Sequence, residues 1–286
     1  MDNLKAKKRH PEEIAVYSAI YVCAAFSVLL LLGIIIYVFA KGARRVNWAF
    51  LTGVTSILHG TVGIAGNILN TLIIILLTMI ITTPIGVGAA IYLNEYAKPG
   101  KLVTVIIFAT ETLAGIPSII FGLFGMLFFG QLCHMGYSLL TGSLTLTLMV
   151  LPLVTRNTQE ALKTVPDSFR TGAVGLGAGK WYTIRTILLP SAMPGIVTGV
   201  ILAIGRIIGE SAALLFTAGS AHLLPKTFNA FLEKIFHSGG TLTIQLYLSA
   251  SKGEFEVAFG IAVVLLVIVL LINFFAKRLA KKLEKH

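Results

Sequence analysis

Residues 70–93, NTLIIILLTMIITTPIGVGAAIYL, decide the fold, because these 24 consecutive positions hold no charged side chain. The hydrocarbon core of a bilayer is about 30 Å thick, and a helix needs about 20 apolar residues to cross it. A backbone within hydrocarbon must satisfy its own hydrogen bonds, which leaves a helix as the structure for a run of this length. The segment therefore predicts a transmembrane helix.

Five further apolar runs accompany this segment. Each approaches or exceeds the length that a helix needs to cross the bilayer. Glu111 and Pro117 interrupt one of them, so we expect its first part to approach the membrane as a tilted or amphipathic helix. Together the runs predict an all-α polytopic bundle of about six transmembrane helices, at 14–41, 70–93, 102–131, 137–154, 191–218 and 257–275.

The composition of the whole chain agrees with a membrane protein. Of its 286 residues 56% are hydrophobic and 12% are charged, whereas a soluble domain carries about 25% charged residues. The net charge is +11, but most basic residues lie in short segments between apolar runs, which indicates membrane orientation rather than nucleic-acid binding. Two cysteines, Cys23 and Cys133, and six scattered histidines support neither a disulfide framework nor a metal site.

Lysine and arginine in the connecting segments predict the orientation, because they favour the cytoplasmic side of a membrane. If the N-terminus lies inside, the inner segments hold sixteen of these residues and the outer segments hold six. The first run is too long for the apolar part of a signal peptide, so we expect it to remain as a span. Both termini are then cytoplasmic. The expected inner segments are 1–13, 94–101, 156–190 and 277–286, the outer loops are 42–69 and 219–256, and the permease core is 70–276.

The inner segment 156–190 is polar, basic and much longer than a tight turn requires. Asp167 or Ser168 after a proline offers an N-cap for one short helix, which three glycines then end. A second short helix is predicted at 180–188, ending at Pro190. We expect the resulting hairpin to expose an apolar ridge that docks in a groove of another protein. The ridge comprises Phe169, Leu176, Trp181, Tyr182 and Ile184.

The same segment carries a recognisable spacing. The run TGAVGLG at 171–177 is followed, nine residues later, by Ile187-Leu188-Leu189-Pro190, and this pattern resembles the EAA loop of ABC-transporter permeases. Thr171 and Gly172 stand where that family has Glu and Ala. The resemblance implies the MetI-like fold of type I importers and a loop that docks on a separate ATPase subunit, which binds ATP and Mg²⁺. The implied coupling residues are Thr171, Gly172, Ala173, Gly177, Trp181, Ile187, Leu189 and Pro190.

A phosphate-loop interpretation of Gly177-Ala178-Gly179-Lys180 fails on its spacing. That motif requires glycine at position 174 and Ser or Thr at position 181, whereas this chain has Val174 and Trp181. We therefore expect no ATP-binding site and no cofactor in this chain.

Charged residues within a span are costly and are candidates for function. Arg206 and Glu210 lie four apart in the fifth run, so a continuous helix would place them on one face. They can neutralise each other as an ion pair. Alternatively, the arginine fork binds a tetrahedral oxyanion in a transport pathway, and Glu210 accepts the proton that phosphate, unlike sulfate, carries at neutral pH.

A second resemblance favours phosphate. Residues 206–217, RIIGESAALLFT, are similar to the fifth-span signature of phosphate permeases of the PstA type, and the likeness extends over about 65–276. It implies a bacterial or archaeal cell-membrane importer whose substrate pathway includes Arg206, Glu210 and Ser211. It also implies three partners: a second, homologous PstC-type permease, a dimer of PstB-type ATPase subunits and an extracytoplasmic PstS-type phosphate-binding protein.

Alternative functions remain open from the residues alone. A permease for phosphonate, sulfate or an amino acid would share the coupling loop. An intramembrane enzyme acting on lipid phosphates would need clustered acidic residues or histidines, and a passive channel would need no coupling loop. Three further charged residues have a predicted place: Glu111 is expected at the membrane interface, and Arg156 with Glu160 as a solvated pair near the inner gate.

Overall fold

The computed structural model describes residues 11–56, 61–225 and 227–283. Most of the predicted inner tail 1–13, His59, Lys226 and the last three residues of the basic tail 277–286 lie outside these ranges.

Within the described residues the protein is almost entirely helical, which confirms the predicted fold class. Five helical stretches are long and apolar enough to cross a membrane, and a sixth crossing results if a bent pair of helices is counted as one span. The helices are α1 (Pro11–Gly42), α2 (Trp48–Thr52), α3 (Ala65–Ile91), α4 (Lys101–Gly115), α5 (Ser118–Gly125), α6 (Leu139–Lys163), α7 (Asp167–Gly175), α8 (Lys180–Thr183), α9 (Leu189–Ile208), α10 (Ala212–Thr217), α11 (Phe228–Glu233), α12 (Leu242–Ser251) and α13 (Phe255–Leu283).

The predicted outer loop 42–69 contains a pair of strands that the sequence does not predict. After a 3₁₀ turn and the short helix α2, strands β1 (Val54–Ser56) and β2 (Thr61–Ile64) pair in antiparallel fashion. Helix α3 then begins at Ala65, five residues before the predicted start of the second span.

The predicted third span, 102–131, is two helices rather than one. Helices α4 and α5 meet at an angle of 103°. Ile116 between them is extended (φ −73°, ψ 131°), because the ring of Pro117 disfavours helical angles in the residue before it. The interruption at Pro117 is therefore as predicted in position, but it turns the chain through more than a right angle.

The predicted fourth span, 137–154, continues well beyond its expected end. Helix α6 runs to Lys163, so Arg156 and Glu160 lie on a continuation of this helix. They form the predicted exposed pair there, with Nε of Arg156 3.3 Å from Oε1 of Glu160. The helix persists because its other face stays apolar: Ala161 and Leu162 are buried against neighbouring helices.

The predicted fifth span, 191–218, is also interrupted. Helix α9 ends at Ile208 and α10 begins at Ala212. At its other end α9 continues directly from α8 through a π-helical segment, Ile184–Leu188, so the helix does not end at Pro190 as predicted. Pro190 is the second residue of α9, and a proline is tolerated in the first turn of a helix.

Small residues bring the central helices close together. A Cβ atom on Gly86 of α3 would lie 2.9 Å from Val154 on α6, and one on Gly199 of α9 would lie 2.6 Å from Asn157 on α6. Such close approaches are typical of helix packing in membranes. Helix α6 therefore occupies the centre of the bundle, between α3 and α9.

The buried apolar residues form two clusters. The larger cluster fills the bundle, and the smaller one lies where the inner segment joins α3, α6 and α9. The smaller cluster consists of Ile91, Ala161, Leu162, Val165, Ile184, Leu188, Ala192 and Ile196.

Candidate functional site

The inner segment forms the expected helical hairpin, with α7 as its first arm and α8 as the start of its second. Gly177 lies between the arms with φ +80°. Its amide donates to the carbonyl of Val174 at 2.9 Å, and the amide of Ala178 donates to the carbonyl of Ala173 at 2.9 Å. This pair of bonds is a Schellman motif, which needs a left-handed residue at the position of Gly177. The predicted N-cap of the first arm is wrong: Pro166 holds that position without a side-chain hydrogen bond, and Asp167 is already helical.

The hairpin exposes large apolar side chains, as predicted. Leu176 at the turn is 90% exposed, and Trp181 is 59% exposed. Ile184 is an exception, because it lies 1% exposed within the smaller apolar cluster rather than on the ridge. A protein surface of this kind indicates a contact with another molecule.

The eight predicted coupling residues divide by position. Thr171 is exposed, and its hydroxyl donates to the carbonyls of Asp167 and Ser168 within the same helix. Ala173 is buried beneath the first arm. Gly172, Gly177, Trp181 and Pro190 are also exposed, while Ile187 and Leu189 are partly buried at the end of the second arm.

An ionic junction at the base of the hairpin was missed by the sequence analysis. Arg170 on α7 donates from Nη2 to Oε1 of Glu95 at 2.9 Å. The same guanidinium donates to the carbonyls of Leu162 and Val165, at 3.0 Å each. The hydrogen bond with Glu95 raises the pKa of Arg170 above its ordinary value. Glu95 lies in the stretch that resembles the phosphate permeases, but its local sequence does not predict a contact with Arg170, 75 residues away.

Arg206 lines a cleft of about 460 Å³ between α4, α5, α6 and α9. Glu111 and Arg156 line the same cleft, whose remaining wall is largely apolar. A smaller cleft of about 190 Å³ also includes Glu111 and Arg156, and it continues to Glu160 and Lys163 on α6. A series of charged side chains therefore leads from the last turn of α9 toward the end of the bundle that carries the hairpin.

Arg206 and Glu210 do not share a helix face, which corrects the prediction. Gly209 ends α9 before Glu210 is reached. Glu210 is 5% exposed, and its Oε1 accepts a hydrogen bond from the amide of Ala213 at 3.1 Å. Its carboxylate therefore satisfies an amide in the first turn of α10. The predicted role of Glu210 and Ser211 in a substrate pathway stays a prediction.

The break between α9 and α10 is held by neighbouring elements. The hydroxyl of Thr243 donates to the carbonyl of Glu210 at 2.9 Å. A Cβ on Gly122 of α5 would lie 2.8 Å from the Cα of Ala213, so the two short helices pack backbone to backbone. Among the described residues, no group of three or more His, Cys, Asp or Glu side chains is arranged to hold a metal ion.

Comparison with known sequences shows one matching family. Residues 82–286 match the family described as binding-protein-dependent transport system inner membrane component. The chain is 36% identical to the probable ABC transporter permease protein YqgI of Bacillus subtilis, over 92% of this chain and 93% of that protein. It is 35% identical to the phosphate transport system permease protein PstA of Pasteurella multocida, over 75% of each chain.

Coverage of other relatives varies. The PstA homolog of Mycoplasma pneumoniae is 36% identical over 79% of this chain, which spans only 34% of that longer protein. Among solved structures, a bacterial alginate ABC transporter in complex with its periplasmic protein has a chain of the same fold, with a TM-score of 0.71, 15% identity and 96% of each chain covered.

Proposed function

Because this chain belongs to the family of binding-protein-dependent transport system inner membrane components, we propose that it is the permease subunit of an ATP-driven importer of inorganic phosphate. Members of the family are transport components, so the chain is not an enzyme. The assignment of phosphate as the substrate rests on the likeness to a permease named for phosphate, at 35% identity over three quarters of the chain.

The cleft at Arg206 supports an anionic substrate. Two guanidinium groups, those of Arg206 and Arg156, line this cleft, whose wall is otherwise apolar apart from Thr110 and Glu111. Arginine presents a planar set of donors that suits tetrahedral oxyanions. Glu111 adds a carboxylate to the same cleft, and it can accept a hydrogen bond from the protonated oxygen of phosphate. Sulfate carries no such proton at neutral pH, so a carboxylate here would favour phosphate.

The exposed hairpin supports a separate source of energy. Its apolar tip at Leu176 and Trp181 is suited to a groove on an ATPase subunit, which would bind ATP and Mg²⁺ itself. The further partners we propose are a second homologous permease and an extracytoplasmic phosphate-binding protein. The hairpin and both termini would then lie in the cytoplasm, which agrees with the excess of lysine and arginine in those segments.

The test is uptake by the complete importer in proteoliposomes. Substituting Arg206→Gln should abolish ATP-dependent uptake of labelled phosphate, while the subunits still co-purify. Lys252→Gln is the matched control, because Lys252 is exposed at the end of α12 and lines none of these clefts. Unchanged uptake in the Arg206→Gln importer would show that this cleft is not part of the transport pathway.

Competition identifies the substrate. Unlabelled phosphate should suppress uptake at concentrations where sulfate, phosphonate and amino acids have little effect. If sulfate or an amino acid competes as well as phosphate, the chain serves another substrate. Uptake that needs no ATP would instead indicate a passive channel.

A further inference from the structure

Both arms of the hairpin are tied to one turn at the end of α3. This turn, Tyr92–Tyr96, is wound as a π-helix. From the first arm, Arg170 reaches Glu95 through Nη2 at 2.9 Å and Nε at 3.3 Å. From the second arm, the ammonium of Lys180 lies 4.7 Å from the ring centroid of Tyr96, within cation–π range. Movement of either arm therefore acts on the same turn.

Arg170 also holds the end of α6. The last carbonyls of a helix lack their regular donors four residues on. Here the guanidinium donates at 3.0 Å to the carbonyl of Leu162 in the last turn of α6 and to that of Val165 just beyond the helix. A single side chain thus connects three elements: α3 through Glu95, the end of α6, and α7, on which it resides. The smaller apolar cluster surrounds the same place, because Ile91, Leu162 and Val165 all belong to it.

Burial distinguishes this junction from the other ion pairs. The side chain of Arg170 is 23% exposed and that of Glu95 is 8% exposed. By contrast, Asp167 binds the same guanidinium at 3.0 Å but is 92% exposed. A largely buried charge pair is costly to break, whereas an exposed pair contributes little.

The tip of the hairpin lacks such connections. A Cβ on Gly172, Gly175 or Gly177 would meet no atom within 4 Å, so the tip touches little of the remainder of the chain. A displacement applied at the tip must reach the bundle through the base of the hairpin. The ionic junction and the apolar cluster are the contacts available there.

We propose that Glu95 and Arg170 are positioning residues that transmit movement of the hairpin to α3 and α6. This inference rests on the proposed function, in which a nucleotide-dependent partner moves the hairpin. Helices α3 and α6 pack directly against each other, and α6 carries Arg156 in the candidate pathway. The junction therefore connects the docking surface to the cleft.

The experiment compares Glu95→Gln with Asp167→Asn in the complete reconstituted importer. The two substitutions remove a carboxylate from the same guanidinium, one buried and one exposed. Glu95→Gln should lower the phosphate transported per ATP hydrolysed by about tenfold, within the range of typical coupling between sites, and Asp167→Asn should lower it less than about twofold. A merely structural role would reduce the amount of assembled complex and leave this ratio unchanged, which would overturn the proposal.

A distance measurement separates this inference from the choice of substrate. Spin labels are attached at two exposed positions, Ile85 on α3 and Leu270 on α13. Cys23 and Cys133 are replaced by Ser so that only these positions are labelled. The distance between the two labels reports movement of α3 relative to α13. Adding ATP should change this distance in the parent importer and in Asp167→Asn, but not in Glu95→Gln, although the ATPase remains bound. An equal change in Glu95→Gln would refute the proposal, as would no change in the parent. If the distances behave as expected but phosphate is not taken up, only the substrate is wrong.

Discussion

Replacing Gly177 with Ala tests the physical role of the hairpin turn without creating a clash. Gly177 has φ +80°, and a Cβ placed there would meet no atom within 4 Å. The substitution therefore changes only the backbone energy. A left-handed conformation costs a residue with a side chain about 1–2 kcal/mol. Alanine also reduces the conformational entropy of the open chain, which offsets about 0.4–1 kcal/mol of that cost.

The expected result is a net loss of about 1 kcal/mol in the free energy of opening the turn, or about a fivefold increase in its open population. Gly175→Ala is the matched control. Gly175 is equally surrounded by open space, but it lies within α7 and has no positive φ. Alanine there should leave the hairpin unchanged or stabilise it by about 0.5–1 kcal/mol.

Hydrogen exchange of the peptide 171–183 in the purified complex measures this difference. The amides of Gly177 and Ala178 donate to carbonyls of α7, so opening of the turn exposes them. Gly177→Ala should speed their exchange by about fivefold, and Gly175→Ala should not. Equal exchange in the two variants would show that the turn does not depend on a left-handed residue. Faster exchange in Gly175→Ala alone would contradict the reasoning altogether.

Two further predictions concern single contacts. Glu210→Ala removes the acceptor of the Ala213 amide and should destabilise the chain by about 1 kcal/mol, which lowers the thermal midpoint measured in detergent. Glu210→Gln keeps an acceptor oxygen and should be less affected. Equal midpoints for the parent and Glu210→Ala would argue against this hydrogen bond as a cap of α10. Leu176→Ser should reduce co-purification of the ATPase subunit. It should leave the free energy of unfolding of the chain within about 0.5 kcal/mol of the parent, because Leu176 is 90% exposed. Undiminished co-purification would exclude Leu176 from the docking surface.

The existence and approximate position of the long apolar helices could be predicted from the sequence. Hydrocarbon thickness sets a minimum apolar length, and that length is visible in any window of the chain. The hairpin was also predictable, because Gly177 marks a left-handed position and the glycines end α7 where expected. The likeness to transport permeases predicted from this segment is confirmed by the family match over residues 82–286.

Breaks within apolar runs were harder to place. The break at Pro117 could be predicted, because a proline disfavours helical backbone angles in the residue before it. The break at Gly209 carries no such signal: a glycine in an apolar run is compatible with a continuous helix. The shared helix face predicted for Arg206 and Glu210 is wrong for this reason, because it assumed a continuous helix, whereas α9 ends at Ile208.

By itself, the sequence determined where helices form and which segment projects from the bundle, because hydropathy and turn chemistry are properties of neighbouring residues. Only the tertiary structure decided that Arg170 meets Glu95, that Glu210 turns inward to hold α10, and that Arg206 shares a cleft with Glu111 and Arg156. Such contacts join residues far apart in the chain. They depend on how helix faces pack, and a charged residue carries no local mark of the partner that packing brings to it.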